Sequence, residues 1–236
     1  MNSAAVYASN LHVVIDGREI IGGVSLSVSW GEVLLILGPN GVGKTTLLKA
    51  LMGLLPRKGR IHISGEPSMV PQNDMLLPWM TLEENIALPL LARGVPKEEA
   101  LKSAREAGRL LGLTEYLSYY PGQVSGGTRR KASIARALAT RSRILFLDEP
   151  YTGLDINAIV DLQGTLQYLK SEGVAMILVS HQLAEAAELA DKAIVLSGRP
   201  ARVVAELDLS GLSYEERVKS LRKAVYESFR AARLSD

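Results

Sequence analysis

Hydrophobic and polar positions alternate loosely along residues 6–15 and 20–28, the rhythm of two antiparallel strands, and Asp16-Gly17 between them reads as the connecting turn. The pattern then changes to an unbroken apolar run at 33–37, as expected of a short strand buried on both faces. Residues 44–52 follow with helical spacing, and 60–64 supply another strand candidate. At Thr81 the strand rhythm stops. Thr81-Leu-Glu-Glu84 has the form of a capping box opening a helix, and Pro96 fits the first turn of the next one. Leu101, Ala104 and Leu111 give that second helix an apolar stripe, and Ser125-Gly126-Gly127 opens a third helix that runs to about Ala139. Strand and helix then alternate: strand 144–147, helix 156–170, strand 175–179, helix 182–189, strand 193–196. Ser213-Tyr-Glu-Glu216 caps a last helix to about Arg233, whose mixed charge marks a packed or solvated tail.

Apolar strands separated by helices predict an α/β fold with a mostly parallel sheet and right-handed crossovers. The two N-terminal strands form an antiparallel β subdomain, and the stretch from Thr81 to about Tyr120 is a helical insertion. A chain of 236 residues has room for one large domain or two subdomains sharing a core. Aromatic residues are only 5% against 47% hydrophobic overall, so that core is aliphatic.

The net charge of +2 is too small to point to nucleic acid as the partner. Cysteine is absent, which excludes disulfides and thiolate metal sites and fits a reducing compartment. The first ten residues lack the charged and apolar regions of a signal peptide. No apolar run approaches the roughly 20 residues that span a bilayer. The expectation is a soluble protein that reaches a membrane only through partner subunits.

The strongest chemical signal is the segment Gly38, Pro39, Asn40, Gly41, Val42, Gly43, Lys44, Thr45, Thr46. It fits the phosphate-loop pattern and sits between a strand and a helix, where that pattern has its physical meaning. Glycines at 38, 41 and 43 let successive N–H groups turn toward one anion, and the helix N-terminus adds partial positive charge. Lys44 is placed to reach the β and γ phosphates, the Thr45 hydroxyl to bind Mg²⁺, and Thr46 to hold the α phosphate. A second signal is the apolar strand 144–147 ending in Asp148 and Glu149. Asp148 can accept from Mg²⁺-bound water, and Glu149 is the candidate general base facing the γ-phosphate. A bare pair of acids at a strand end is usually only solvated; beside a phosphate loop the catalytic reading prevails.

A third segment distinguishes among phosphate-loop proteins. Val124-Ser-Gly-Gly-Thr128, followed by Arg129, Arg130, Lys131 and a helical Ile134-Ala-Arg-Ala-Leu138, resembles the signature segment of ABC ATPases. The resemblance extends to about residue 205. It implies a P-loop NTPase core at 1–75 and 141–205, a helical subdomain at 76–140 and a helical tail at 206–236. It also implies ATP with Mg²⁺, and a second ATPase subunit, identical or not, packed head to tail. Ser125, Gly126 and Gly127 would then meet the γ-phosphate held by the partner. Gln72 in Val-Pro-Gln-Asn matches the family's glutamine loop, which contacts Mg²⁺ and the attacking water. Asp155 in Gly-Leu-Asp matches the loop facing the opposite subunit, and His181 matches the switch histidine on the γ-phosphate. Met75-Leu-Leu-Pro-Trp-Met80 is unusually apolar for a loop, and Gln72 to Met80 is where membrane permease subunits would dock. Together with Gly198-Arg-Pro200, this run is similar to importer ATPases for nitrate, sulfonates and taurine. That implies a substrate-binding protein as a further partner and a cytoplasmic position on the inner face of the membrane.

Two departures stand out. Thr128 and Val124 replace the usual glutamine and leucine of the signature. The adenine-stacking aromatic residue is replaced by Ile15, with Tyr7 and His12 poorly placed as substitutes, so base stacking gives way to a weaker aliphatic contact that gives little support for selecting ATP over GTP. Two other functions compete with transport. ABC ATPases of translation usually carry paired ATPase halves, and those of DNA repair carry long coiled coils; this chain has one copy of each motif and no heptad run. An unrelated phosphate-loop kinase or GTPase would lack the Ser125-Gly126-Gly127 segment.

Overall fold

The computed structural model describes residues 4–233; the last three residues of the expected tail lie outside it. In chain order its strands and helices are β1 (Ala4–Ile15), β2 (Arg18–Ser29), β3 (Val33–Leu37), α1 (Lys44–Leu51), β4 (Lys58–Ile63), β5 (Pro67–Val70), α2 (Leu82–Ala92), α3 (Lys97–Leu110), α4 (Gly126–Ala139), β6 (Ile144–Asp148), α5 (Ile156–Ser171), β7 (Ala175–Val179), α6 (Leu183–Leu189), β8 (Lys192–Ser197), β9 (Arg202–Asp208) and α7 (Tyr214–Arg233). Two sheets result. A three-stranded antiparallel sheet has the order β2-β1-β4, and a six-stranded sheet has the order β5-β6-β7-β3-β8-β9. In the larger sheet β5, β6, β7, β3 and β8 are parallel, and β9 runs antiparallel to β8. The expected α/β architecture is therefore present, with its antiparallel N-terminal sheet and a layer of helices.

β3, β6 and β7 are buried at every position, as strands covered on both faces must be. Alternate side chains serve different cores. Val33, Leu35 and Leu37 join the cluster under the helices, while Leu34 and Ile36 join the cluster under the N-terminal sheet. The Asp16-Gly17 turn has both residues at positive φ (50° and 75°), the geometry that a two-residue hairpin requires.

Local chemistry sets the helix starts. Thr81 Oγ1 accepts from Glu84 N at 3.2 Å, and the Glu84 carboxylate accepts from Thr81 N at 2.9 Å, completing the capping box before α2. Pro96 stands one place earlier than the spacing predicts: it is the residue preceding α3 and not part of its first turn. Two strands escape the sequence pattern, β5 and β9, and both lie at edges of the large sheet. β9 carries that sheet beyond position 205 to Asp208 before α7 begins.

Candidate functional site

β3 ends at Leu37 and the chain turns through Gly38, Gly41 and Gly43 at φ of 148°, 73° and 115°. At Gly38 the turn is also sterically closed: a Cβ there would lie 2.5 Å from the Leu196 carbonyl oxygen. The first turn of α1 has no side-chain cap and no acidic residue, so its N–H groups remain available to an anion at the loop. Lys44 is buried and its ammonium donates to the carbonyls of Gly38 and Pro39, 3.0 Å each, which holds it over the loop. Burial lowers its pKa from the ordinary lysine value, against the raising effect of Glu149 and Asp148. A negative ligand reverses that desolvation cost.

The acid pair sits across this loop at the end of β6. The Thr45 hydroxyl donates to Asp148 Oδ2 at 2.9 Å, so hydroxyl and carboxylate converge on one point. A hard divalent cation suits these two oxygens, completing its shell with water and phosphate oxygens. Among the described residues there is no group of three or more His, Cys, Asp or Glu side chains that would cage a metal by itself. Glu149 is 7% exposed and has φ of 49°, left-handed backbone that a non-glycine residue seldom adopts. Its Oε2 accepts from the His181 N–H at 3.1 Å. Its Oε1, 3.2 Å from His181 Nε2, is buried without an aligned donor. Desolvation raises the Glu149 pKa above the ordinary carboxylate value; the His181 N–H, the His181 ring and Lys44 oppose this, and Asp148 adds to it. An unspent acceptor with raised basicity, aimed into a cleft, is what a general base requires.

The open cleft holding these groups measures about 930 Å³ and is lined by Asn40, Gly41, Gly43, Lys44, Thr45, Thr46, Gln72, Asp148, Glu149 and His181. Its far end is formed by Ile15, Asp16, Arg18 and Ile20 from the first hairpin. Pro39 and Val42 belong to the loop without lining the cleft; Val42 packs into the core beneath it. Tyr7 lines a separate groove with Leu54, Arg57 and Arg60, and His12 bonds Glu19 and Asn10, so neither substitutes for an aromatic platform.

Ser125, Gly126, Gly127 and Asp155 are not lining residues of this cleft. Ser125 caps α4, accepting from Thr128 N at 3.1 Å, and Asp155 caps α5, accepting from Ala158 N at 2.8 Å. Gly127 packs so closely on α5 that a Cβ would meet the Ala158 Cβ at 2.8 Å. Met75 (69% exposed) and Trp79 (71% exposed) project from the loop after Gln72.

A family model described as ABC transporter matches residues 21–152, which spans the phosphate loop, the signature segment and the acid pair. The chain belongs to the ABC transporter family. The taurine import ATP-binding protein TauB of Pseudomonas aeruginosa is 40% identical over 200 residues, covering 80% of this chain and 76% of that protein. The protein of the same name from Escherichia coli K12 is 35% identical over 212 residues, 86% of this chain and 83% of that one. Among solved structures, an ATP-binding cassette of an ABC transporter in its ADP conformation matches at TM-score 0.82 and 25% identity, covering 96% of this chain and 98% of its own. A nucleotide-free cassette from an ABC transporter matches at TM-score 0.81 and 26% identity, covering 92% and 96%. This ABC protein is an ATP-binding, ATP-hydrolysing subunit of a transporter. Among its described residues no helix is long and apolar enough to cross a membrane.

Sequence reasoning missed several lining residues of this ABC ATPase: Asp16, Arg18, Ile20, Thr152 and Gln182. Each lies within five residues of a predicted site residue, and that proximity was the one signal available. It also missed Arg130 and Arg136, whose guanidinium groups grip the glutamine loop.

Proposed function

We propose that this chain is the motor subunit of an importer for a small sulfonate-type solute, working as one of a head-to-tail pair of ATPases on membrane permease subunits fed by a substrate-binding protein. The separation of its two anion-seeking elements carries this reading. The phosphate loop with Lys44, Asp148, Glu149, Gln72 and His181 lines one cleft, while the N–H groups of the Ser125-Gly126-Gly127 helix start lie outside it. Two copies arranged head to tail bring the second element to the first.

In that pair the triphosphate lies on the loop from Gly38 to Thr46, with Lys44 neutralising charge at the β and γ positions. Thr45 and Asp148, with Gln72, would hold Mg²⁺, which would supply positive charge at the phosphates when bound. Glu149 accepts a proton from the attacking water, and His181, hydrogen-bonded to Glu149 through its backbone, fixes the γ-phosphate side of the cleft. Asp155 faces the partner chain. The adenine rests against Ile15 and Ile20 without an aromatic platform. Closing and reopening of the pair moves the helical segment 76–140 against the core at 1–75 and 141–205. The exposed Met75 and Trp79 offer the permease an apolar hold next to Gln72. The import of a sulfonate is carried over from the taurine import relatives, and a position on the inner face of the membrane, reached through the permeases, goes with that reading.

Ser125→Arg tests the shared site. A bulky cation at the helix start leaves the chain's own phosphate loop intact, so nucleotide binding should persist while turnover falls at least about a hundredfold. A variant that hydrolyses ATP at the unaltered rate removes the two-chain site.

A further inference from the structure

The loop from Gln72 to Met80 makes almost no hydrogen bonds between its own backbone groups. Among the described residues one is found there, from Met80 N to Leu77 O at 3.2 Å. Side chains of two helices hold it instead at several main-chain positions. Asn85 of α2, fully buried, accepts from Leu77 N at 2.6 Å and donates to the carbonyls of Leu77 and Met80, 3.0 Å each. From α4 come Arg130, Ser133 and Arg136, spaced three apart and therefore on one face. Arg130 Nη1 donates to Pro71 O at 2.7 Å and its Nη2 to Gln72 O. Arg136 Nη2 donates to Asp74 O at 2.7 Å and Nη1 to Met75 O at 2.8 Å, and Ser133 Oγ donates to Asp74 O at 3.3 Å. Three loop carbonyls, and that of Pro71 just before the loop, are thus held by the helix whose first turn is the signature segment.

Arg130 is only 3% exposed, and the Asp74 carboxylate lies 3.2 Å from its Nη1. Burial raises the Asp74 pKa and lowers that of Arg130, with each group's charge opposing the other's shift. The opposite charges offset part of that desolvation, and Nη1 and Nη2 each donate to a carbonyl, while Arg130 Nε and Asp74 Oδ1 are buried without an aligned hydrogen-bond partner. The planar guanidinium meets the two successive carbonyls with two separate nitrogens in a fixed fork, which sets their relative orientation as well as their distance.

We propose that Arg130 is a positioning residue for hydrolysis: it clamps the main chain at Pro71 and Gln72 to α4, so that the glutamine side chain in the nucleotide cleft and the Ser-Gly-Gly tip move as one body. The proposal rests on the role given to Gln72 above, and its test separates the two. Removing Arg130 alone would leave the half-buried Asp74 carboxylate without its cation, so the decisive variant is the double change Arg130→Met with Asp74→Asn. Asp74→Asn alone keeps the carbonyl clamp. Arg130→Lys keeps the charge but replaces the planar two-nitrogen fork with a shorter, single-point ammonium, which holds the two carbonyls less rigidly.

Steady-state ATP hydrolysis by the purified full chain with Mg²⁺ reads the outcome, with fluorescent nucleotide binding and melting temperature measured on the same samples. Asp74→Asn should stay within about twofold of the unaltered kcat, the double variant should lose at least about tenfold in kcat with KM changed less than about twofold, and Arg130→Lys should fall between. Gln72→Ala serves as the control and should lose kcat as well. An unaltered kcat in the double variant, or a loss confined to KM, overturns the clamp. Should the double variant not fold, Arg130→Lys decides by itself: full kcat there overturns the proposal and a fall in kcat at unchanged KM supports it. Normal turnover in Gln72→Ala combined with a deficient double variant would refute the role of Gln72 while leaving Arg130 tied to turnover by another route, against the proposal as stated.

Discussion

Glu149→Gln separates chemistry from binding in this chain. Glutamine keeps the length of the side chain and one carbonyl oxygen, so the bond from His181 N, 3.1 Å in the structure, can still form. The negative charge and the proton acceptor are lost. A positioned general base contributes about 10²- to 10⁴-fold, or roughly 2.7–5.5 kcal/mol of barrier, and turnover should fall by that factor. Binding of ATP should hold or tighten, because one negative charge beside the γ-phosphate is gone. The ATP-bound pair should then accumulate, which light scattering with and without nucleotide will show. Stability should move the other way. Burial raises the folded-state pKa of Glu149 above its ordinary value of 4.5. The stability linked to its protonated form is therefore present below 4.5 and is lost as pH climbs through the folded value. Glutamine carries no such loss, so the nucleotide-free variant should melt higher than the unaltered chain near pH about 7.5, and the gap should close toward pH about 4.5. Phosphate release within about threefold of the unaltered rate would refute the assignment of Glu149 as base. A variant that melts lower at neutral pH would refute the desolvation argument.

Three further outcomes are expected. Gly38→Ala places a Cβ 2.5 Å from the Leu196 carbonyl at φ of 148°; the strain, about 1–3 kcal/mol, should lower the denaturation midpoint and abolish measurable ATP binding by calorimetry. Ile15→Tyr restores an aromatic face beside the base site, and stacking worth about 1–3 kcal/mol should lower the Kd for ATP by at least about fivefold in a fluorescence titration. Phe146→Ala empties a fully buried position in the central strand and should cost about 3–5 kcal/mol in urea unfolding while the sequence of the phosphate loop is untouched.

The central strands were legible because burial on both faces leaves a run of apolar residues, as at 33–37 and 175–179, that polar surfaces do not interrupt. β5 and β9 were not, because edge strands have less to bury. β5 is four residues long and begins with Pro67, and β9 alternates between exposed and half-buried positions with Arg202, Glu206 and Asp208 among them. For the site, the motif residues Lys44, Thr45, Asp148, Glu149, Gln72 and His181 could be named individually, and the fold brings them to one cleft. Arg18 and Thr152 carry no motif, and their place depends on how the hairpin and the loop after β6 fold back. The grip of Arg130 and Arg136 on main-chain carbonyls was invisible, since a carbonyl acceptor leaves no mark on the sequence of the loop that offers it.

β3 sends Val33, Leu35 and Leu37 to one hydrophobic cluster and Leu34 and Ile36 to the other, and its last residue hands the chain directly to Gly38. Neither half of the interior can loosen without pulling on the root of the phosphate loop. Heat should therefore melt both halves in one calorimetric event, and a bound nucleotide should shift that whole event upward without splitting it in two.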